Sequence, residues 1–469
     1  MTPRTLGEMA AAMKGALTGD PSALPAGHSI DSRTLKPGDL FYAIKGPRHD
    51  AHRFVPDAIA RGAGGAVVAD AAAVPAGPGG RPAVPVIVVA DTLRALQDLA
   101  AAVRRSLPVK VVGITGSSGK TTTKEMTRRA LETSFVVHAS KGNLNNLFGC
   151  PLSLLELEPR HQVSVLEMGM SYPGELARLA EIADPDIGVL TNVSGAHMAH
   201  FASLEEVADA KGELFAGMRA SSTGVFNNDD ERCRRIMGRF GGYAVTFGIE
   251  RPSDLTGSDY RMEGLDGASF EVRAAHAAGS RRLRVRTRFV GLHHAYNALA
   301  ALGAGFMLGI DLEAMASRLE DLDPLGMRGR VLKLGQGVRV LDDCYNSNPA
   351  AMRSAARVLA QAEPRSGGRR VAVFGDMLEL GAGEREAHAA IARELAEGGA
   401  GLVVAVGTLA PEALGEAGST PSRGFASAEE AAGFMAGEAR PGDVVLVKGS
   451  RGVGLEKVVA ALVERFGEE

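Results

Sequence analysis

Between Val111 and Thr123 an apolar run, Val111-Val112-Gly113-Ile114, passes into Thr115-Gly116-Ser117-Ser118-Gly119-Lys120-Thr121-Thr122-Thr123, and a helical pattern follows. Glycines let a backbone close around phosphate oxygens, so that its N–H groups and the next helix's N-terminus face the anion. In that chemistry Lys120 reaches the outer phosphates and the Thr121 hydroxyl meets a magnesium ion. The spacing here is Gly113-x-x-Gly116-x-x-Gly119-Lys120-Thr121, with Ile114 where the strict phosphate loop has glycine. Glu167 follows the apolar run 163–166. A carboxylate at the carboxyl end of a strand suits magnesium, and its alternative use is to cap the next helix. Thr191-Asn192-Val193-Ser194-Gly195-Ala196-His197 follows another apolar run, 187–190. His197 shares a sheet edge with Glu167 and Lys120 if the three strands are parallel; by itself it reads as an exposed loop histidine. Lys211, within Ala208-Asp209-Ala210-Lys211-Gly212-Glu213, reads by itself as a surface lysine.

The elements that must position these groups alternate. Val67-Val68 and Val86-Ile87-Val88-Val89 read as short buried strands on either side of a Pro/Gly-rich loop, and 92–105 has helical periodicity. Strand 163–166, helix 174–182 and strand 187–190 continue the alternation, which argues for a parallel sheet covered by helices. Residues 282–289, Arg-Leu-Arg-Val-Arg-Thr-Arg-Phe, alternate with period two, as a half-exposed antiparallel strand does. The arginine row reads as a solvated strand face rather than a nucleic-acid surface, given the acidic net charge. The α/β pattern restarts with strands at 371–375, 402–407 and 444–447. The glycine cluster 449–454 reads as an ordinary strand-to-helix turn rather than a second phosphate loop.

Composition bounds the rest. A chain of 469 residues exceeds one ordinary core and implies two to three domains. Hydrophobic residues at 45% and charged residues at 23% fit a soluble globular protein, and a net charge of −3 supplies no field for nucleic acid or anionic membrane. Cys150, Cys233 and Cys344 lack metal-ligand spacing and read as buried small hydrophobes in a reducing compartment. The first residues lack signal-peptide features, so the expectation is a cytosolic protein.

Taken together, the variant glycine loop, Glu167, His197 and the Lys211 segment resemble the Mur ligase family, the ATP-dependent amide ligases of cell-wall precursor synthesis. Within that family, three segments are similar to the member that adds D-alanyl-D-alanine. They are Lys141-Gly142-Asn143-Leu144-Asn145-Asn146 with Gly149-x-Pro151-Leu152, the run from Asp342 to Pro349, and the run from Phe374 to Gly381. The resemblance extends from Asp31-Ser32-Arg33-Thr34 to Lys448-Gly449-Ser450. It implies a three-domain α/β fold. An α/β N-terminal domain (1–90) would bind the UDP-muramoyl-peptide. A central, mostly parallel phosphate-loop domain (91–323) would bind ATP, and a Rossmann-like C-terminal domain (324–469) would bind D-alanyl-D-alanine.

The same resemblance implies an ADP-forming ligase. It would join D-alanyl-D-alanine to UDP-N-acetylmuramoyl-tripeptide through an acyl phosphate, with Mg2+, as a cytoplasmic monomer without nucleic-acid partner or membrane insertion. It puts ATP on Thr115, Gly116, Ser117, Ser118, Gly119, Lys120, Thr121 and Thr122. Asn297 matches the adenine-binding asparagine, Arg330 an arginine near the γ-phosphate and Asp343 a residue near the ribose. Thr121 would help bind one magnesium, while Glu167, His197 and a carbamoylated Lys211 would help hold a second. Lys120, Glu167, His197, Lys211 and Arg330 would carry catalysis. Ser32 and Arg33 lie in the uridine-diphosphate part, Asn145 and Asn146 on the muramoyl-peptide side, and Asn346 and Asn348 on the third-domain side. The chain departs from the family at Leu147, where an acid is frequent, and at His294, where asparagine is.

Three rivals are disfavoured on the sequence. A folate polyglutamate synthase shares the phosphate loop, but the uridine-binding type of first domain argues against it. A relative adding the third stem residue carries an Asp-Asn-Pro-Arg type motif, and Asn346-Ser347-Asn348-Pro349-Ala350 stands in that place. A nucleotide switch needs a guanine-reading Asn-Lys-x-Asp, which the sequence lacks.

Overall fold

The computed structural model describes residues 4–46, 49–195, 200–276, 279–365 and 367–469. Among these, the strands gather into three sheets of five, nine and six. By contacts the chain divides into two compact units. The first is Met1–Ile114, Ser134–Gly188 and Glu213–Ser222; the second is Thr115–Thr133, Val189–Gly212 and Thr223–Glu469.

In the first unit, Val86–Val88, Gly65–Val68, Asp39–Tyr42 and Gly27–Ser29 run parallel, and Ala16–Thr18 closes the sheet antiparallel to Val86–Val88. Every residue of Asp39–Tyr42 and Gly65–Val68 is buried, which is why the run at Val67-Val68 shows no alternation; the strand Asp39–Tyr42, which opens on a charged residue, was not expected. Helix Thr92–Arg105 spans the expected residues; Asp91 caps it by accepting N–H bonds from Leu93 and Arg94. Further along, Lys110–Thr115 pairs parallel with Val163–Glu167, and Val137–Ala139 flanks the latter. The strand therefore runs one residue beyond the expected apolar stretch and takes Glu167 as its last member.

In the second unit, Thr223–Asn227, Tyr243–Gly248 and Leu255–Met262 are parallel neighbours. Ala268–His276 and Gly279–Thr287 add an antiparallel hairpin; the strand expected over 282–289 begins earlier, at Gly279, and ends at Thr287, leaving Arg288 and Phe289 beyond it. On that strand Arg282, Arg284 and Arg286 are exposed, while Val285 is buried between them. Helix Lys120–Leu131 packs on helix Leu292–Met307.

The six-stranded sheet has five parallel strands and an antiparallel edge, Arg330–Lys333. Its central strands feed two cores. Ala372 and Phe374, Val403 and Ala405, and Val444 and Leu446 face one core. Their alternates, Val371 and Val373, Val404 and Val406, and Val445 and Val447, face the other. The period-two display buries both faces, so continuous apolar runs mark these strands. The glycine cluster after Val444–Lys448 is a turn, in which the Ser450 hydroxyl accepts the Leu378 N–H. No described helix is long and apolar enough to cross a membrane.

Candidate active site

The phosphate loop leaves a strand whose residues after Lys110 are all buried. Gly116 has φ +151° and packs so closely that a Cβ there would overlap Thr191 Oγ1. Gly119 (φ +81°) precedes helix Lys120–Leu131, and a Cβ there would overlap Asn297 Oδ1. Both positions require glycine for conformation and for space.

Residues 191–194 fasten the loop. Thr191 Oγ1 donates to Ser118 O (2.7 Å), and Asn192 Nδ2 to the same oxygen (3.1 Å). Asn192 Oδ1 accepts the Ser118 N–H (3.0 Å), and Ser194 exchanges hydrogen bonds with the Ser117 hydroxyl. Asn227 Nδ2 and Asp230 Oδ2 in turn hold Thr191 O and the Val193 N–H. The segment read only as leading to His197 is thus the scaffold of the loop. Sequence reasoning missed Thr191 and Asn192 because their partners lie more than 70 residues away.

Lys120 Nζ donates to Gly116 O (2.9 Å) and Ser117 O (3.5 Å), so the ammonium is held over the loop itself. Thr121 and Thr122 are buried in the first helical turn. Among the described residues, the buried hydroxyls Thr115 Oγ1, Ser194 Oγ and Ser347 Oγ have no hydrogen-bond partner. Thr115 begins the loop, Ser194 touches Ser117, and Ser347 precedes Asn348, which touches Ser118. Unsatisfied buried hydroxyls are costly unless something binds there, so this pattern fits a polar ligand.

Lys211 corrects the sequence-alone expectation of a surface lysine. It lies in helix Leu204–Ala216 and is 2% exposed. Burial, aided by the Lys120 charge and opposed by Cys233, pushes its pKa well below the ordinary lysine value. Cys233, Cys150 and Cys344 are buried free thiols, as expected.

On the opposite side of the loop helix, Asn297 accepts from Thr123 Oγ1 (3.3 Å) and contacts His294 Nδ1 through its Nδ2 (3.3 Å). The six-stranded part also reaches the loop. Asn348 caps helix Pro349–Gln361 by accepting the Ala351 N–H, while its Nδ2 donates to Ser118 Oγ (3.0 Å). Asp343 receives a 2.6 Å bond from Lys448 Nζ, which also donates to Asn346 O (3.1 Å). Lys448 is 2% exposed and Asp343 partly exposed, so the ion pair is buried at its lysine end. It was missed because a lysine ends the apolar run and looks like its solvent-facing terminus.

In the first unit, Glu167 is level with Ile114 in the parallel register and is buried. Asn145 Nδ2 donates to Glu167 Oε1 (2.7 Å), and Asn146 Oδ1 caps helix Gly149–Leu155 through the Gly149 N–H. Arg33 is exposed and paired with Asp31, whose carboxyl it holds down at about 2; Ser32 is buried. Arg330 is half-exposed and paired with Glu468 (2.7 Å). His197 lies outside the described residues. Among the described residues no group of three or more His, Cys, Asp or Glu is placed to hold a metal. The conversion of Lys211 into a carbamate, which the family resemblance implies, requires a neutral amine. A buried amine with a depressed pKa suits that conversion.

Comparison with known proteins matches three models. They are the Mur ligase family catalytic domain over residues 26–104, the Mur ligase middle domain over 114–305, and the Mur ligase glutamate ligase domain over 327–451. The chain is 33% identical to the UDP-N-acetylmuramoyl-tripeptide–D-alanyl-D-alanine ligase of Bacillus subtilis, covering 99% of each chain. It is 32% identical to the ligase of the same name from Escherichia coli, covering 98% of each. Among solved structures it resembles MurF from Acinetobacter baumannii, with a TM-score of 0.88, 31% identity and 99% coverage of both chains. It also resembles MurF from Thermotoga maritima in complex with ADP, with a TM-score of 0.78, 29% identity and coverage of 94% and 97%.

Proposed function

The chain belongs to the Mur ligase family, and on that premise we propose that it joins D-alanyl-D-alanine to UDP-N-acetylmuramoyl-tripeptide at the expense of ATP. A peptide carboxylate is a poor acyl donor. One of its oxygens attacks the γ-phosphorus, the bond to the ADP oxygen breaks, and an acyl phosphate forms. The amine of D-alanyl-D-alanine adds to the acyl carbon, the tetrahedral adduct expels phosphate, and the nitrogen loses a proton to form the amide. The first step brings anion toward anion, so positioning and positive charge dominate its catalysis.

Lys120 supplies that charge by moving from the loop carbonyls onto the outer phosphates. The backbone N–H groups from Gly116 to Thr122 hold the phosphates, Asn297 reads the adenine, and Asp343 and Arg330 take the ribose and γ-phosphate roles. Thr121 would hold one Mg2+, with Lys211 as a carbamate on a second; Glu167 and His197 keep the ligand roles that the resemblance gives them. When bound, the metal would neutralise charge on the phosphoryl oxygens. Ser32, Arg33, Asn145 and Asn146 serve the nucleotide-peptide, and Asn346 and Asn348 the dipeptide side. Residues 1–90, 91–323 and 324–469 are the corresponding domains.

The observation that favours a ligase over a switch-type nucleotide hydrolase is Lys211, a buried, deprotonation-prone amine beside the loop lysine, which a switch does not need. The test is phosphate release with UDP-N-acetylmuramoyl-tripeptide, comparing D-alanyl-D-alanine with single amino acids. Release should stay low until tripeptide and dipeptide are both present. Equal release without them would point to a switch, and preference for a single amino acid would overturn the dipeptide assignment.

A further inference from the structure

In the six-stranded sheet the chain runs from Arg339–Asp342 to Arg370–Gly375, Leu402–Val406 and Ser422–Phe425, then returns to place Val444–Lys448 between the first two. Helix Pro349–Gln361, after the first strand, packs into one core through Met352 and Leu359. Helix Glu456–Phe466, after the returning strand, packs into the other through Val458 and Leu462. The neighbouring strands 339–342 and 444–448 therefore send their chains to opposite faces, which opens a crevice at their carboxyl ends. Ligands of open α/β sheets bind in such a crevice. Hydrogen bonds tie its rim together. The Leu378 N–H donates to Ser450 Oγ (2.9 Å), Lys448 Nζ to Asn346 O (3.1 Å) and the Tyr345 N–H to Met327 O (3.0 Å). Ser347 Oγ is buried and has no partner among the described residues, so an incoming polar group would satisfy it. Leu378 is exposed and adds an apolar patch to the same rim.

Segments 327–330, 343–348, 376–378 and 448–451, at these strand ends, hold four cations. The buried Lys448 ammonium is held by Asp343 and Asn346. Arg328 lies over the Tyr345 ring at 3.8 Å. Arg330 stands on the antiparallel edge strand, outside the crevice, and pairs with Glu468. Arg451 follows the returning strand and is exposed. Its guanidinium has five N–H donors. The described residues engage it only through Met327 Sδ (3.1 Å) and Glu456 Oε1 (3.3 Å). A planar guanidinium with donors to spare fits a carboxylate in a bidentate pair. We infer that Arg451 is a specificity-determining residue that binds the terminal carboxylate of the incoming dipeptide. The inference rests on the reading of D-alanyl-D-alanine as the acceptor, and it adds which end of that molecule is read. With the carboxylate held at Arg451, the reacting amine lies at the other end of the dipeptide. Asn348, on the opposite side of the crevice, touches the phosphate loop through Ser118, so the amine end would face the nucleotide.

The experiment measures kcat and KM for D-alanyl-D-alanine and for D-alanyl-D-alaninamide, which keeps the amine and both methyls but has no carboxylate. ATP and UDP-N-acetylmuramoyl-tripeptide are saturating. The enzymes are the wild type, Arg451→Met and Arg451→Lys, each checked by thermal unfolding. The wild type should favour the acid over the amide by at least about tenfold in kcat/KM. Arg451→Met should lose that preference by raising KM for the acid about tenfold or more. Its KM for the amide and for ATP should not change, and Arg451→Lys should keep part of the preference. Weakening of acid and amide alike in Arg451→Met, or an intact preference, overturns the role of Arg451. A wild type indifferent to the carboxylate overturns it as well. A wild type that uses neither compound but accepts a single amino acid removes the dipeptide reading, and the inference falls with it.

Discussion

At the scale of single residues, two buried basic groups do opposite things. Burial and the Lys120 charge push the Lys211 pKa well below the ordinary lysine value, toward the neutral amine that the proposed carbamate requires. Lys211→Ala is expected to lose about a hundredfold or more in ligase rate and to recover part of it with short carboxylic acids in the assay. Wild-type turnover in that variant would remove the role. Its burial was not legible locally, because Asp209 and Glu213 beside it write a polar pattern; only the family resemblance reversed the reading. His138 is a different case. Its Nδ1 meets Ser164 Oγ at 2.9 Å, its Nε2 has no partner among the described residues, and burial lowers its pKa to about 4. The unfolded chain binds the proton that the native one refuses, so this group costs stability as pH falls from about 6.5 through about 4, and the cost then levels off. Its part of the slope is at most about 1.4 kcal/mol per pH unit. Urea unfolding of His138→Phe should show a shallower acid slope, while the lost bond to Ser164 shifts stability equally at every pH. An unaltered slope would count against this assignment.

At the scale of elements, the phosphate loop works because neighbouring segments leave no room for a side chain. Gly116→Ala places a methyl on Thr191 Oγ1 at a backbone angle that L-residues rarely adopt. Nucleotide titration should show at least about tenfold weaker ATP binding, with secondary structure retained by circular dichroism; wild-type affinity would contradict the packing argument. Much of this scale was legible. Helix Thr92–Arg105 and the strands around Val373, Val404 and Val445 follow from periodicity and uninterrupted apolar runs, because parallel strands bury both faces. What escaped were long-range polar contacts. Thr191 and Asn192 on the loop carbonyl, and Lys448 on Asp343, involve residues whose local context is unremarkable and whose partners only the fold supplies.

At the scale of the whole molecule, the Asn348 side chain joins the six-stranded part of the second unit to the glycine loop. Asn348 both caps helix Pro349–Gln361 and donates to Ser118. The two duties separate by chain length. Asn348→Ser keeps a capping hydroxyl but is too short for Ser118, whereas Asn348→Ala loses both. The serine variant should melt near wild type and raise KM for ATP several-fold. The alanine variant should add a stability loss of about 1 kcal/mol. Steady-state kinetics and thermal unfolding read the two effects apart, and an unchanged KM in both variants would show that the contact carries no coupling. The sequence showed Asn348 only as part of a family motif; its contact with a loop 230 residues away is a property of the fold.

The placement of the Lys120 ammonium over the loop carbonyls bears on which nucleotides would displace it. Its ammonium already rests on two carbonyl oxygens, Gly116 O and Ser117 O. Nucleotide binding is then a partner exchange, and its gain is the difference between phosphate and carbonyl as acceptors for the same cation. On the proposed ATP reading, a nucleoside monophosphate would have no outer phosphate to offer that cation and a triphosphate would, so the loop would sort nucleotides by the length of their phosphate chain.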